Sequence, residues 1–146
     1  MHIDENFRDI KQFNRFPEIG CVFGICVNNH LLYLSQTKSL RSVAARYWSN
    51  ITSNINFEPR FLILRKAYFN PDKYNLTFRI MYESSDEKVR KEKLLEFQQK
   101  ANPPLNQPKK DIPFTIDEAI DAAPLFLTRS TRSYKYIDSL TLSGKK

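Results

Sequence analysis

Cys21-Val22-Phe23 and Tyr33-Leu34-Ser35 are two short apolar runs on either side of a turn. The whole stretch 21–27 has the apolar, β-favouring composition of a buried strand. Asn28-Asn29-His30 is a turn signal, because asparagine tolerates the positive φ that a tight reversal requires. Residues 31–34 then return as a second strand, so this part of the chain predicts a β-hairpin.

A basic amphipathic helix is predicted directly after the hairpin. Thr37 or Ser39 is its expected N-cap, and the helix runs to about Trp48. Its apolar residues recur at i, i+3, i+4 and i+7 and are Leu40, Val43, Ala44 and Tyr47. Its basic residues, with no acidic residue among them, are Lys38, Arg41 and Arg46.

The next part of the chain predicts a second hairpin and a second long helix. Residues 61–69 and 76–82 are rich in β-favouring side chains and flank the turn signal Asn70-Pro71-Asp72. A helix is expected from Ser85 to about residue 100, where two prolines stop it.

Both ends of the chain carry shorter helical signals. Asp4 is an expected cap for a helix over about residues 5–15. Thr115 and Glu118 fit a capping box for a short helix over 116–122. The basic stretch from residue 124 has two interpretations. It is either a disordered arm that adds nonspecific nucleic-acid affinity, or an apolar anchor at Pro124-Leu125-Phe126-Leu127 that folds onto this domain or a partner.

These elements predict an α+β fold, with a small antiparallel sheet of three to four strands flanked by helices. The expected organisation is an N-terminal helix extension over 1–19, a central domain over 20–106 and a C-terminal extension over 107–146. A chain of 146 residues can bury a substantial core.

Composition narrows the functional classes. A formal charge of +7 and a pI near 9.5 favour a polyanionic partner, with nucleic acid first. Cys21 and Cys26 should point to opposite faces of one strand and stay unbridged, and no Cys/His cluster has zinc-site spacing. With acidic residues where a signal peptide would be basic, and no run of ~20 apolar residues, the expectation is a reduced cytoplasmic protein without a membrane span.

The order of hairpin, basic helix, strand, helix and Pro103-Pro104-Leu105-Asn106 resembles the frame of the GIY-YIG endonuclease superfamily. The resemblance covers roughly residues 20–106, and the run from Tyr33 to Trp48 is similar to the excision-repair branch. It implies a small sheet that carries two tyrosines, with an arginine on the first helix. It also implies a glutamate on the later helix that holds a divalent cation for phosphodiester cleavage.

Most of the implied catalytic groups are missing here. By the resemblance, the two tyrosines correspond to Phe23 and Tyr33, the arginine to Val43, and the glutamate to Leu94, counted back from Asn106. Because a hard cation needs oxygen ligands, Leu94 cannot bind one. No cofactor is therefore expected, and Mg²⁺ would be needed only by a divergent active nuclease. In that alternative Arg46, one turn beyond Val43, and Glu96, two residues after Leu94, would take over the lost roles.

The leading prediction is a catalytically degenerate GIY-YIG-like domain that binds nucleic acid, DNA favoured, without cleaving it. One alternative is a protein-interaction module that uses the old cleft, and a second is the divergent Mg²⁺-dependent endonuclease.

Strand alternation would place Arg65 and Lys66 on opposite faces of the predicted second hairpin. The candidate phosphate-binding residues are Lys38, Arg41, Arg46, Arg65, Lys66 and Arg79.

Overall fold

The computed structural model describes residues 10–53, 58–113, 115–126 and 142–143. Its described strands are β1 (Cys21–Val27), β2 (His30–Thr37), β3 (Leu76–Glu83), β4 (Leu125–Phe126) and β5 (Leu142–Ser143). Its described α-helices are α1 (Leu40–Thr52), α2 (Pro59–Tyr68), α3 (Glu87–Ala101) and α4 (Ile116–Ala122). The strands form one antiparallel sheet in the order β3-β1-β2-β4-β5, and β4 and β5 have only two residues each. The predicted α+β class is confirmed.

The β1–β2 hairpin forms where the sequence predicts it. Asn28 and Asn29 both have positive φ, at 52° and 66°, which is the turn conformation that asparagine tolerates. Two β-bulges flank the central strand: Leu32 is the extra residue on β2, and Met81 is the extra residue on β3. Because each bulge shifts the side-chain alternation by one residue, the bulges set which residues of the outer strands face each layer.

Helices cover both faces of the sheet. The face that α1 covers, here the α1 face, also packs against α2 and α4. Its buried residues include Phe23, Ile25, Val43, Tyr47, Phe78 and Ile80. The opposite or α3 face buries Val22, Cys26, Leu31, Leu34, Met81 and Phe97. Cys21 packs on the α1 face and Cys26 on the α3 face, and the two form no disulfide, as the strand alternation predicts.

Helix α2 replaces the first strand of the predicted second hairpin, and that prediction is wrong. Pro59 occupies the first turn of the helix, where a missing N–H is harmless and the fixed φ is already helical. The buried residues Phe61, Leu64 and Ala67 follow at spacings of three, which is a helical rather than an alternating pattern. Because the second hairpin does not form, β3 is not paired with residues 61–69 and lies instead directly beside β1.

The other helix boundaries follow their capping residues closely. The Ser39 side chain caps α1, and Thr115 and Glu118 form the predicted capping box of α4. Asp86, rather than Ser85, caps α3. Ile10–Arg15 form a kinked 3₁₀ helix within the helix expected over 5–15, whose first residues lie outside the described ones. None of the described helices has the length and apolar character that a bilayer span requires.

The C-terminal stretch folds back on the domain at residues 124–126. Leu125 pairs with His30 at the edge of β2, and the Leu31 N–H donates to the Pro124 carbonyl at 2.9 Å. Phe126 is 1% exposed and packs on the α3 face. This part of the stretch matches the anchor interpretation, whereas Leu127 and the basic residues from 129 to 135 lie outside the described residues.

Candidate nucleic-acid interface

Two of the positions that the resemblance aligns with catalytic residues lie in the core. Phe23 on β1 and Val43 on α1 are each 1% exposed and pack together on the α1 face. The Phe23 ring stacks on Phe78 with the centroids 6.2 Å apart. Neither side chain reaches solvent, so neither position can contact a phosphate.

Tyr33, which the resemblance aligns with a catalytic tyrosine, contacts an arginine that the sequence analysis missed. Arg60, in the first turn of α2, donates from Nη1 to the Tyr33 hydroxyl at 2.7 Å. Its guanidinium carbon also lies 4.7 Å from the Tyr33 ring centroid and 4.6 Å from that of Phe61. The signal for Arg60 was Pro59, which marks the start of a helix and would have placed the next residue in its first turn.

Tyr47 extends this contact into the core. Burial raises the pKa of the Tyr47 hydroxyl, and the nearby charge of Arg60 opposes this increase. The charge of Tyr33, and a hydrogen bond between Tyr33 and Tyr47, raise the pKa further. The Tyr47 phenol therefore stays protonated at physiological pH. It can act as a hydrogen-bonding group but does not supply a general base at that pH.

A cavity of about 290 Å³ opens beside the Tyr33–Arg60 pair. The Glu58 carboxylate, 3.9 Å from Arg60 Nη2, is the acidic group in its lining. The full lining is Tyr33, Glu58, Pro59, Arg60, Leu105, Asn106, Gln107 and Ile112. The cavity thus combines one cation, one carboxylate, neutral polar groups and apolar side chains.

Asn106, the last residue of the motif, has a structural role in this fold. Its Oδ1 accepts from the Leu34 N–H at 2.8 Å, and its Nδ2 donates to the Leu34 carbonyl at 2.8 Å. The amide thus takes the place of a neighbouring strand at the outer edge of β2. This double contact ties the 3₁₀ turn Pro104–Asn106 to the strand that carries Tyr33.

Leu94, which the resemblance aligns with the metal-binding glutamate, lies on the other side of the sheet. Leu94 is partly buried and packs on the α3 face, away from Phe23 and Val43. Glu96, on the same helix, is paired with Lys93 and Lys100, each at 3.8 Å. The apolar residues at the equivalent positions offer no oxygen ligand, so they do not fit the divalent cation that the resemblance implies. No three His, Cys, Asp or Glu side chains converge on a metal-sized site within the described ranges.

The two residues of the alternative nuclease site are also separated. Arg46 is exposed on α1, which covers one face of the sheet, whereas Glu96 is on α3, which covers the opposite face. The helices that carry them therefore do not bring the two side chains to one site.

Three of the predicted basic residues lie at or on α1. Lys38 and Arg46 are exposed. Arg41 is half-buried, because its Nε donates to the Phe16 carbonyl at 2.9 Å and its Nη1 pairs with Glu18 at 2.5 Å. Lys38 and Arg46 are thus the two of this set with exposed side chains.

Arg65 and Arg79 are committed to internal contacts instead. Arg65 donates to the carbonyls of Asn50, Ile51 and Ser53 and so closes the C-terminal end of α1. Arg79 is 4% exposed and donates to the carbonyl of Phe126 and to the Asn29 side chain. Since Arg65 and Lys66 are on a helix, the expected strand alternation between them does not apply, and Lys66 is exposed.

The basic surplus is concentrated on α1 and α2. Between residues 19 and 71 the chain has six basic residues and a single acidic one, Glu58. The two helices pack side by side on the same face of the sheet. The exposed basic residues at these two helices, here the α1–α2 surface, are Lys38, Arg46 and Lys66, whereas Arg41 and Arg60 are paired with Glu18 and Glu58.

The α1–α2 surface and the Tyr33–Arg60 cavity are thus two features of the described chain that contain cationic side chains. Comparison with protein-family models, with curated proteins and with solved structures gave no match.

Proposed function

We propose that this protein is a catalytically degenerate GIY-YIG-like domain that binds nucleic acid, DNA favoured, through the α1–α2 surface without cleaving it. The observation that carries the proposal is the run of basic residues on two adjacent helices, with Glu58 as the one acidic residue between 19 and 71. Phosphate contacts by lysine and arginine supply affinity without sequence preference.

The absence of cleavage follows from the groups at the catalytic positions. Phe23 and Val43 are buried and apolar, and Leu94 lies against the opposite face of the sheet. Removing one electrostatic stabiliser typically lowers the rate by about 10²- to 10³-fold. The loss of a phenol, a cation and a metal ligand together leaves no useful rate.

The protein-interaction alternative has one observation in its favour. Leu105 and Ile112 give the Tyr33–Arg60 cavity an apolar wall, which suits a peptide side chain. Charge favours nucleic acid over this alternative, because the exposed cations lie outside the cavity on α1 and α2. The proposal also includes a reduced, cytoplasmic setting, which the two buried cysteines support because they form no disulfide with each other.

Fluorescence anisotropy with labelled duplex and single-stranded DNA, measured at several salt concentrations, tests the proposal. We expect the logarithm of the binding constant to fall linearly with the logarithm of salt concentration. The variants Arg46→Gln and Lys66→Gln should each reduce that slope by about 0.7–0.9, the contribution of one phosphate contact.

Lys88→Gln is the matched control, because Lys88 is an exposed lysine on α3, which covers the opposite face of the sheet. It should leave affinity and slope unchanged. If the control weakens binding as much as Arg46→Gln does, a site on α1 and α2 is wrong. If the wild-type protein does not bind DNA at low salt, nucleic-acid binding itself is wrong.

A further inference from the structure

Helix α2 presents an exposed stripe that its core packing does not explain. Leu62, Lys66 and Phe69 follow each other at i, i+4 and i+7, so they lie on one side of the helix. Phe69 is 55% exposed and Leu62 is 41% exposed, while Lys66 is exposed between them. Single exposed apolar side chains are common, but apolar residues that share one side of a helix can mark a contact surface.

The Phe69 ring belongs to a chain of three aromatic side chains. Tyr68 contacts Phe69 with the ring centroids 5.1 Å apart and the planes at 86°, and Trp48 contacts Tyr68 at 5.7 Å and 70°. In both pairs the rings meet edge to face. Phe69 is held at the C-terminal end of α2 by its N–H, which donates to the Arg65 carbonyl at 3.1 Å. A flat aromatic surface is therefore presented from the end of a regular helix.

The charge around this ring distinguishes a nucleic acid from an apolar partner. The exposed charged residues nearest to Phe69 in the chain are Lys66 and Lys73, with Asp72 as the acidic one. The exposed Leu95 on α3 offers a comparison, because it is 57% exposed but lies among both Glu92 and Lys91. The stripe itself carries one lysine, Lys66, and no carboxylate, which suits a phosphate, whereas carboxylates and ammonium groups both lie beside Leu95.

We propose that the exposed stripe of α2 is a stacking site for single-stranded nucleic acid. Phe69 stacks on one unpaired base, and Lys66, one helical turn before it, contacts the neighbouring phosphate. This inference rests on the proposed function and narrows it, because the face of a base is free for an aromatic side chain only when the strand is unpaired or its end is open.

Two fluorescent single strands of equal length and charge test the site: an oligothymidylate and an oligonucleotide of abasic sugar phosphates. Anisotropy should show that the wild-type protein binds the oligothymidylate about tenfold more tightly, because stacking on one base contributes roughly that factor. Phe69→Ala should abolish the difference between the two strands, and Phe69→Tyr should retain it.

Two further variants separate stacking from general apolar contact. Leu95→Ala removes an equally exposed apolar side chain from the opposite layer and should change nothing. Phe69→Leu keeps an apolar side chain but removes the ring, so it should behave like Phe69→Ala. All four substitutions are at exposed positions, and circular dichroism checks that each variant is folded.

Each contrary result has a distinct meaning. If both strands bind equally tightly to the wild-type protein with a steep salt dependence, phosphate binding stands and the stacking site is wrong. If neither strand binds, both proposals are wrong. If Phe69→Leu binds like the wild type, the contact is apolar rather than aromatic. Sedimentation and pull-down experiments would then show whether a second copy or another protein covers the stripe.

Discussion

Asn106 should stabilise the fold rather than act in chemistry, and alanine substitution measures how much. The side chain makes two hydrogen bonds of 2.8 Å with the backbone of Leu34. Each such bond contributes a net of about 1 kcal/mol, and water replaces part of the loss because Asn106 is only half-buried. Asn106→Ala should therefore lower the free energy of unfolding by about 1–2 kcal/mol, which corresponds to about 3–7 °C in Tm for a chain of this size.

Urea unfolding of the wild type and three variants is the assay. Asn106→Asp keeps an acceptor for the Leu34 N–H but turns a carboxylate oxygen towards the Leu34 carbonyl, so it should destabilise at least as much as Asn106→Ala. Gln99→Ala removes an exposed amide from α3 and should stay within about 0.5 kcal/mol of the wild type.

For this comparison to hold, the free energy of unfolding must depend on urea concentration with the same slope in every variant, because a changed slope indicates an altered denatured state. A loss below about 0.5 kcal/mol for Asn106→Ala would refute the reasoning. An Asn106→Asp variant as stable as the wild type would also refute it, since it would show that the bond to the Leu34 carbonyl contributes nothing.

Three further perturbations test other parts of the structure. Gly20→Ala would place a methyl carbon 2.5 Å from the Ser84 carbonyl oxygen. Calorimetry should show that the free energy of unfolding falls by about 1–3 kcal/mol. An unchanged Tm would contradict this close packing. Burial raises the pKa of the Cys21 thiol to about 12 from 9.0. The stability that the protonated thiol contributes is present below pH 9 and is lost as pH rises towards 12, at about 1.4 kcal/mol per pH unit. The urea concentration at the midpoint of unfolding should therefore fall less steeply with pH for Cys21→Ala than for the wild type. An equal pH dependence in the two proteins would contradict the raised pKa. Tyr33→Phe removes the hydroxyl that accepts from Arg60 and should lower the free energy of unfolding by about 1–2 kcal/mol. Neither this variant nor the wild type should nick plasmid DNA in Mg²⁺. Nicking by the wild type that the substitution abolishes would contradict a degenerate site.

Local signals allowed much of the fold to be predicted. The positive φ at Asn28 and Asn29 and the side-chain caps of α1 and α4 depend on residues within one turn of each other. Such signals need no tertiary information, because a cap satisfies backbone groups that the helix itself leaves unpaired.

Helix α2 shows why other parts could not be predicted in the same way. The segment 61–69 combines aromatic and aliphatic residues that suit a strand, and its secondary structure is decided by its packing on the α1 face. The error concealed Arg60 as well, because a strand assignment gave no reason to bring residue 60 close to Tyr33.

Arg79 illustrates the limit for single side chains. From the sequence it is a phosphate-binding candidate, because strand alternation cannot tell whether solvent or protein covers the side on which a residue lies. The covering residue is Phe126, which is 47 positions away in the chain. Only the folded arrangement shows that the guanidinium is internal, so a list of basic residues in the sequence overestimates the exposed positive charge.

The contact between Leu34 and Asn106 also has a consequence for the nascent chain. The two residues are 72 positions apart, so the ribosome must add that length before the amide is available to the strand. At a synthesis rate of about 5–20 residues per second, the outer edge of β2 has no Asn106 contact for roughly 4–14 s. During that interval the strand presents free backbone groups to neighbouring chains. A translation product that ends before residue 106 keeps this edge exposed, which makes stalled or truncated chains the form of this protein most in need of a chaperone.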